Sequence, residues 1–227
     1  MSPRNRALAG VGAIVLAAGL SLVFPVASSA VPVRVAIWHM GTLGADRHTM
    51  KDTSHSIPPN DGVATAIKVV PAFDGYGYRF NGRTSQVVVP DHDSLDPAAK
   101  AFSIVLHVKF GPRPASGYYS LLNKGSGAVR SYSAIINTTG KPVCAFHGSL
   151  RTASVVGPNA LADSQWHTIV CAKFSKRIYI MVDGVKTTSK VRIGGISNAR
   201  KLYIGRGASG GNRYAGVMDE VTIRVGT

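Results

Sequence analysis

No stretch constrains the fold more than residues 161–184, LADSQWHTIVCAKFSKRIYIMVDG. Trp166, Thr168, Val170, Ala172 and Phe174 alternate with His167, Ile169, Cys171 and Lys173, the period of two that puts successive side chains on opposite faces of a strand. Ser175-Lys176-Arg177 is a short polar turn, and Ile178 to Val182 runs back, rich in β-branched and aromatic residues. Asp183-Gly184 closes the segment with one of the strongest tight-turn signals. Val185 to Thr188 follows at once, so the stretch specifies a β-meander. Trp166 is read as a large core residue, and His167 as facing outward or bonding a loop.

The rest of the chain repeats the theme. Val33 to Trp38, Ile67 to Val70, Tyr76 to Phe80, Ser85 to Val89, Ala101 to Phe110 and Tyr118 to Leu122 read as strands. So do Tyr132 to Ile136, Val143 to Phe146, Arg151 to Val156, Val191 to Ile193, Leu202 to Ile204 and Gly216 to Val225. Gly, Pro, Asn and Asp stand at the joins, and no helical period persists over three turns. Such a chain folds as an all-β, two-sheet antiparallel β-sandwich of jelly-roll type. Residues 41–61 lack periodicity and exceed the usual length of a connection. They are expected to pack over the domain or to contribute to a site.

Residues 1–30 are set apart from the fold. Arg4 and Arg6 precede an uncharged apolar run from Ala7 to Phe24, and Ser28-Ser29-Ala30 supplies small residues for cleavage. That is the layout of a secretory signal peptide. An uncleaved anchor is the rival reading, against which stand Pro25 and the lack of a basic stop-transfer cluster. Export leaves 227 − 30 = 197 residues, one domain's worth. In an extracellular protein the two cysteines, Cys144 and Cys171, are expected to form one disulfide, with two buried free thiols as the alternative. Without Arg4 and Arg6, 24 basic residues face 11 acidic ones, a net charge of +13. Such a surface favours acidic polymers such as wall phosphate polymers, acidic polysaccharides or membrane faces. The basic residues are scattered and never form the dense runs that mark specific nucleic-acid binding. The membrane is expected to be met only through the signal peptide before cleavage.

A set of short motifs resembles the laminin-G-like, concanavalin A-like jelly rolls. Phe80-Asn81-Gly82, Val87-Val88-Val89-Pro90 and Ser94-Leu95-Asp96 come first. Leu161, Asp163, Trp166 and His167 are followed by Val182-Asp183-Gly184, Leu202-Tyr203-Ile204-Gly205 and Gly216 to Ile223. They occur in the family's order, and the cysteine placement is similar to that of secreted actinobacterial members. The resemblance implies one LamG-like domain over residues 31–227. It also implies that Asp219, with Asp74 or Asp61, could hold calcium. The chain departs from the family after Trp38, where Gly41-Thr42 stands in place of an early Asp-Glu, and this weakens the calcium reading.

Relatives on such folds include glycosidases, which work with two carboxylates a fixed distance apart. Glu220 is the sole glutamate, and Asp91 and Asp93 sit in a turn after Pro90. Paired-carboxylate hydrolysis is therefore disfavoured. The histidines are dispersed, and no Gly-x-Ser-x-Gly elbow is present. The leading expectation is a secreted, non-catalytic lectin-like module for carbohydrate or an anionic wall polymer. Tyr118, Tyr119, Tyr132, Arg213 and Tyr214 are the candidate binding residues, although each serves equally well as packing. The alternatives are a polysaccharide lyase or glycosidase, with His107 and His147 as the histidines to watch, and a passive adhesion or structural domain.

Overall fold

A computed structural model describes residues 32–127 and 129–226. The signal peptide expected at residues 1–30 lies outside the described residues. The strands are β1 (Val33–Trp38), β2 (Thr49–Met50), β3 (Gly62–Thr65), β4 (Lys68–Pro71), β5 (Tyr76–Asn81), β6 (Gln86–Val89), β7 (Phe102–Lys109) and β8 (Tyr118–Lys124). Then come β9 (Ser131–Asn137), β10 (Pro142–His147), β11 (Thr152–Val156), β12 (Trp166–Lys173), β13 (Ile178–Val182), β14 (Val185–Ser189), β15 (Leu202–Ile204) and β16 (Ala215–Val225). One 3-10 turn, Asp93–Leu95, interrupts them.

Two antiparallel eight-stranded sheets form the sandwich. Sheet A runs β14-β13-β12-β7-β16-β5-β4, with β1 alongside the second half of β16; sheet B runs β11-β10-β9-β8-β15-β6-β3-β2. The meander of β12, β13 and β14 is as the sequence specifies. Asp183 and Gly184 both take positive φ, at 49° and 84°, the conformation of a two-residue hairpin. On β7 the alternation is complete: Phe102, Ile104, Leu106 and Val108 are buried, while Ser103, Val105, His107 and Lys109 face out. The inner faces of both sheets meet in one core with Trp38, Tyr78, Phe80, Tyr132, Phe146 and Tyr214 among its large members. Cys144 on β10 and Cys171 on β12 are joined in a disulfide that ties sheet B to sheet A. The closed loop spans 27 residues, and the chain-entropy model assigns such a crosslink about 3–4 kcal/mol.

Residues 41–61 contain the short strand β2 and pack on the domain as expected, stitched to it through Asp52. Its carboxylate accepts the N–H groups of Ile37, Ser54 and Asn60. Trp38 Nε1 donates to the Asn60 carbonyl at 2.8 Å. Val191–Ile193 is not a strand; the Ile193 carbonyl instead accepts from Leu150 and Arg151 of the β10–β11 turn. The turn aspartates around residue 93 acquire a structural role. Fully buried Lys124 donates to Asp91 at 2.7 Å, to Asp96 at 2.8 Å and to the Asn198 carbonyl at 2.7 Å, which satisfies all three of its donors.

Candidate functional site

The five residues proposed as a binding set do not form one exposed surface: Tyr118, Tyr119, Arg213 and Tyr214 are neighbours, but the rings of Tyr132 and Tyr214 lie in the core. Tyr132 and Tyr214 are wholly buried. Tyr132 donates its hydroxyl to the Leu95 carbonyl, and the Tyr214 hydroxyl lies 3.0 Å from the carbonyls of Lys109 and Val217. Each ring fills the core while its polar end is satisfied internally, the ordinary solution for a buried tyrosine. Tyr119 packs edge-on against Phe110 and Tyr214 and so also turns inward. Tyr118 precedes Tyr119 on β8 of sheet B, and Arg213 pairs with Ser120 of the same strand and donates to the Ser85 carbonyl at 3.4 Å. The two histidines of the lyase reading stand in opposite sheets, His107 on β7 of sheet A and His147 on β10 of sheet B.

A different constellation occupies the outer face of sheet A. Lys109 on β7 stands opposite Trp166 on β12 and Val217 on β16, and Val217 stands opposite Arg79 on β5. One row down, His107 stands between Thr168 and Asp219. Trp166 is therefore half-buried on the outside, not in the core; Ile169 and Cys171 provide the inward face of β12. The four-residue tip of the β4–β5 hairpin, residues 72–75, is closed by an Ala72 N–H to Gly75 carbonyl bond and curls over this face. Its Phe73 ring meets His107 at 4.3 Å and Trp166 at 5.9 Å, edge-on in both cases, yet stays 51 % exposed. Tyr76 at the base of the same turn is also exposed.

Asp219 holds that tip in place. Its Oδ2 accepts the N–H of Asp74 at 2.8 Å and its Oδ1 the N–H of Glu220 at 2.8 Å. Asp219 as a residue is 1 % exposed. Burial raises its pKa above the ordinary 3.8, and the two N–H groups and nearby His107 offset this only in part. Gly77 makes the approach possible, since a Cβ there meets Ala72 Cβ and the Met218 carbonyl at 2.7 Å. A β-bulge between Asp219 and Val221 breaks the alternation of β16, and Glu220 reaches His39 at 3.4 Å. Beside Trp166 a cleft of 420 Å³ is lined by Arg79, Asn81, Lys109, Phe110, Pro112 and Val217, among others. Gly216 also lines it, where a Cβ collides with the Lys109 carbonyl and the Tyr214 hydroxyl. The arrangement sets the aromatic surface of Phe73 and Trp166 beside a cleft that presents two cations and apolar walls. That is how a pocket receives the face and hydroxyls of a sugar ring.

The calcium reading does not fit. The ion needs six to eight oxygens, but both oxygens of Asp219 already accept backbone N–H groups. Asp61 is engaged by Lys51 and by the Asp52 N–H. Among the described residues no group of three or more His, Cys, Asp or Glu comes together that could hold a metal.

Fold and site together define a jelly-roll module with an aromatic patch beside a cationic cleft on one sheet. The chain belongs to the concanavalin A-like lectin/glucanase superfamily, whose family model matches residues 81–224. No curated protein matches it in sequence. Among solved structures it is similar to the binding domain of Paraclostridial Mosquitocidal Protein 1 (TM-score 0.66, 16 % identity, 86 % of this chain and 49 % of that one). It is also similar to domain 4 of AbnA, an extracellular arabinanase from Geobacillus stearothermophilus, in complex with arabinotriose (0.62, 16 %, 86 % and 93 %). A third is botulinum neurotoxin type C, whose cell entry depends on interaction with two ganglioside molecules (0.62, 12 %, 86 % and 48 %). The chain spans about half the length of the two toxin structures. Among the described residues no helix is long and apolar enough to cross a membrane.

Proposed function

We propose that the protein is a secreted, non-catalytic carbohydrate-binding module that grips a polysaccharide on the outer face of sheet A. The observation that carries this reading is the exposed Phe73 ring set against Trp166 and His107, beside a groove that also presents Lys109 and Arg79. Rings of this kind stack on sugar faces, and the cations meet hydroxyls or carboxylates. The arabinotriose complex of one similar fold and the ganglioside-dependent cell entry of another support the class of ligand. The disulfide and the leader-like residues 1–30 support an extracellular setting. The net charge favours acidic glycans or wall polymers over neutral ones.

The test is retention of the mature protein on an array of neutral and acidic polysaccharides and on purified cell wall, with the supernatant assayed for new reducing or unsaturated ends. Retention without product is expected. Phe73→Ala and Trp166→Ala should each weaken it about tenfold or more, or about 1.4 kcal/mol. Product release would establish an enzyme instead, and neither retention nor product would leave an adhesion or structural domain.

A further inference from the structure

From Pro97 to Ala162 the chain contains no Asp or Glu, and the same holds from Ser164 to Val182 and from Gly184 to Met218. The fold brings one piece of each stretch to the same end of the sandwich. The β10–β11 turn contributes Leu150 and Arg151, the β12–β13 turn Lys176, and the segment after β14 Lys190, Val191 and Arg192. They line a cleft of 450 Å³ whose four charged side chains are all cations, all exposed, and whose lining holds no acid. Among the described residues the lysines in ion pairs are Lys51 and Lys124, and no arginine is so paired. The four cations therefore have no carboxylate partner among the described residues, and an anionic ligand supplies one.

The cleft adjoins the far end of the sheet A face. In the same β12–β13 turn, Arg177 lies 5.2 Å above the Phe174 ring, which stacks on Tyr179 at 5.7 Å. Lys186 covers Tyr179 at 4.8 Å. Phe174 and Tyr179 also border a 310 Å³ cleft with Ser103 and Arg224, whose buried Nε has no partner. From Trp166 to Phe174 is eight residues of extended chain, about 26 Å. A ligand that begins at the Trp166 groove and follows β12 thus arrives at the cations.

We infer that this end is a second subsite, which binds the carboxylate or sulfate groups of an acidic polysaccharide whose sugar rings occupy the Trp166 groove. The subsite rests on the carbohydrate-binding reading and adds to it the place where the acidic groups of the polymer are held. Arg151 and Arg192 present planar forks that take such groups two bonds at a time, while Lys176 and Lys190 act as point charges. The larger salt-sensitive part of binding resides here, where four cations converge, and the stacking on Phe73 and Trp166 supplies the salt-insensitive part.

The test uses polygalacturonate, dextran sulfate and a neutral polysaccharide retained by the wild type, with binding measured at low and high salt. The double variant Lys176→Glu/Lys190→Glu changes exposed residues only, and its thermal stability serves as the folding control. It should lose at least about tenfold in affinity for one or both acidic polymers at low salt and show a flatter salt dependence, with neutral-polymer binding unchanged. Unchanged acidic-polymer affinity and salt dependence would overturn the subsite while leaving the groove intact. So would wild-type protein that ignores both acidic polymers at low salt, or that binds duplex DNA more tightly than either. Failure of Phe73→Ala and Trp166→Ala to affect any polymer would instead overturn the groove.

Discussion

His167 sits between two carboxylates, with Nδ1 2.7 Å from Asp183 and Nε2 3.0 Å from Asp163. Partial burial works against its charge, but the hydrogen bonds and charges of Asp183 and Asp163 outweigh it and raise the pKa above the usual imidazole value. A raised folded-state pKa stabilises the fold fully below the unfolded value of about 6.5, and that contribution is lost as pH rises through the folded value. The melting temperature should accordingly fall as pH climbs from about 6 into the alkaline range, and His167→Gln should flatten that slope; an unchanged slope would refute the assignment. The bond was legible in outline, since a histidine one residue from the strand's start has loops within reach. The side of Trp166 was not legible. A period of two says which residues share a face, but not which face meets the other sheet. Trp38, not Trp166, fills the core, because its Nε1 finds the Asn60 carbonyl only through a contact 22 residues away. Tyr132 and Tyr214 escaped for the same reason, their hydroxyl partners being backbone carbonyls that no local pattern reveals.

Among the elements, local ones could be read and long-range ones could not. The β12–β14 meander is written into consecutive residues, with turn chemistry at both joins. β2 and β3 are too short and too dependent on distant partners to announce themselves. Val191–Ile193 has strand composition but gives its carbonyl to a turn. The hairpin tip that carries Phe73 lay unread between two strands, because what matters is its fold-back onto Asp219, 145 residues away. That latch makes a prediction. Asp219→Ala removes the acceptor of two N–H groups and should cost about 2 kcal/mol of stability. Amide hydrogen exchange at Asp74 should rise with it, and ligand affinity should fall although residue 219 itself is covered. Unaltered exchange at Asp74 would show that the tip is held by something else.

For the molecule as a whole, charge and function part company with the fold. A two-sheet sandwich and a disulfide could be inferred from strand spacing, two cysteines and an ordered set of short motifs, but not that the disulfide joins one sheet to the other. The excess of cations was equally plain, but their convergence in one acid-free cleft depends on three turns meeting at one end of the sandwich. The central claim is that the sheet A face around Trp166 is where a polysaccharide lies. The chain has two tryptophans, Trp38 buried and Trp166 on that face. The most direct test titrates the retained polysaccharide against intrinsic tryptophan fluorescence, in the wild type and in Trp166→Phe. A saturable change in the wild type that disappears in Trp166→Phe is the predicted result. A change that survives the substitution, or retention with no change in either protein, would place the ligand elsewhere and contradict the account.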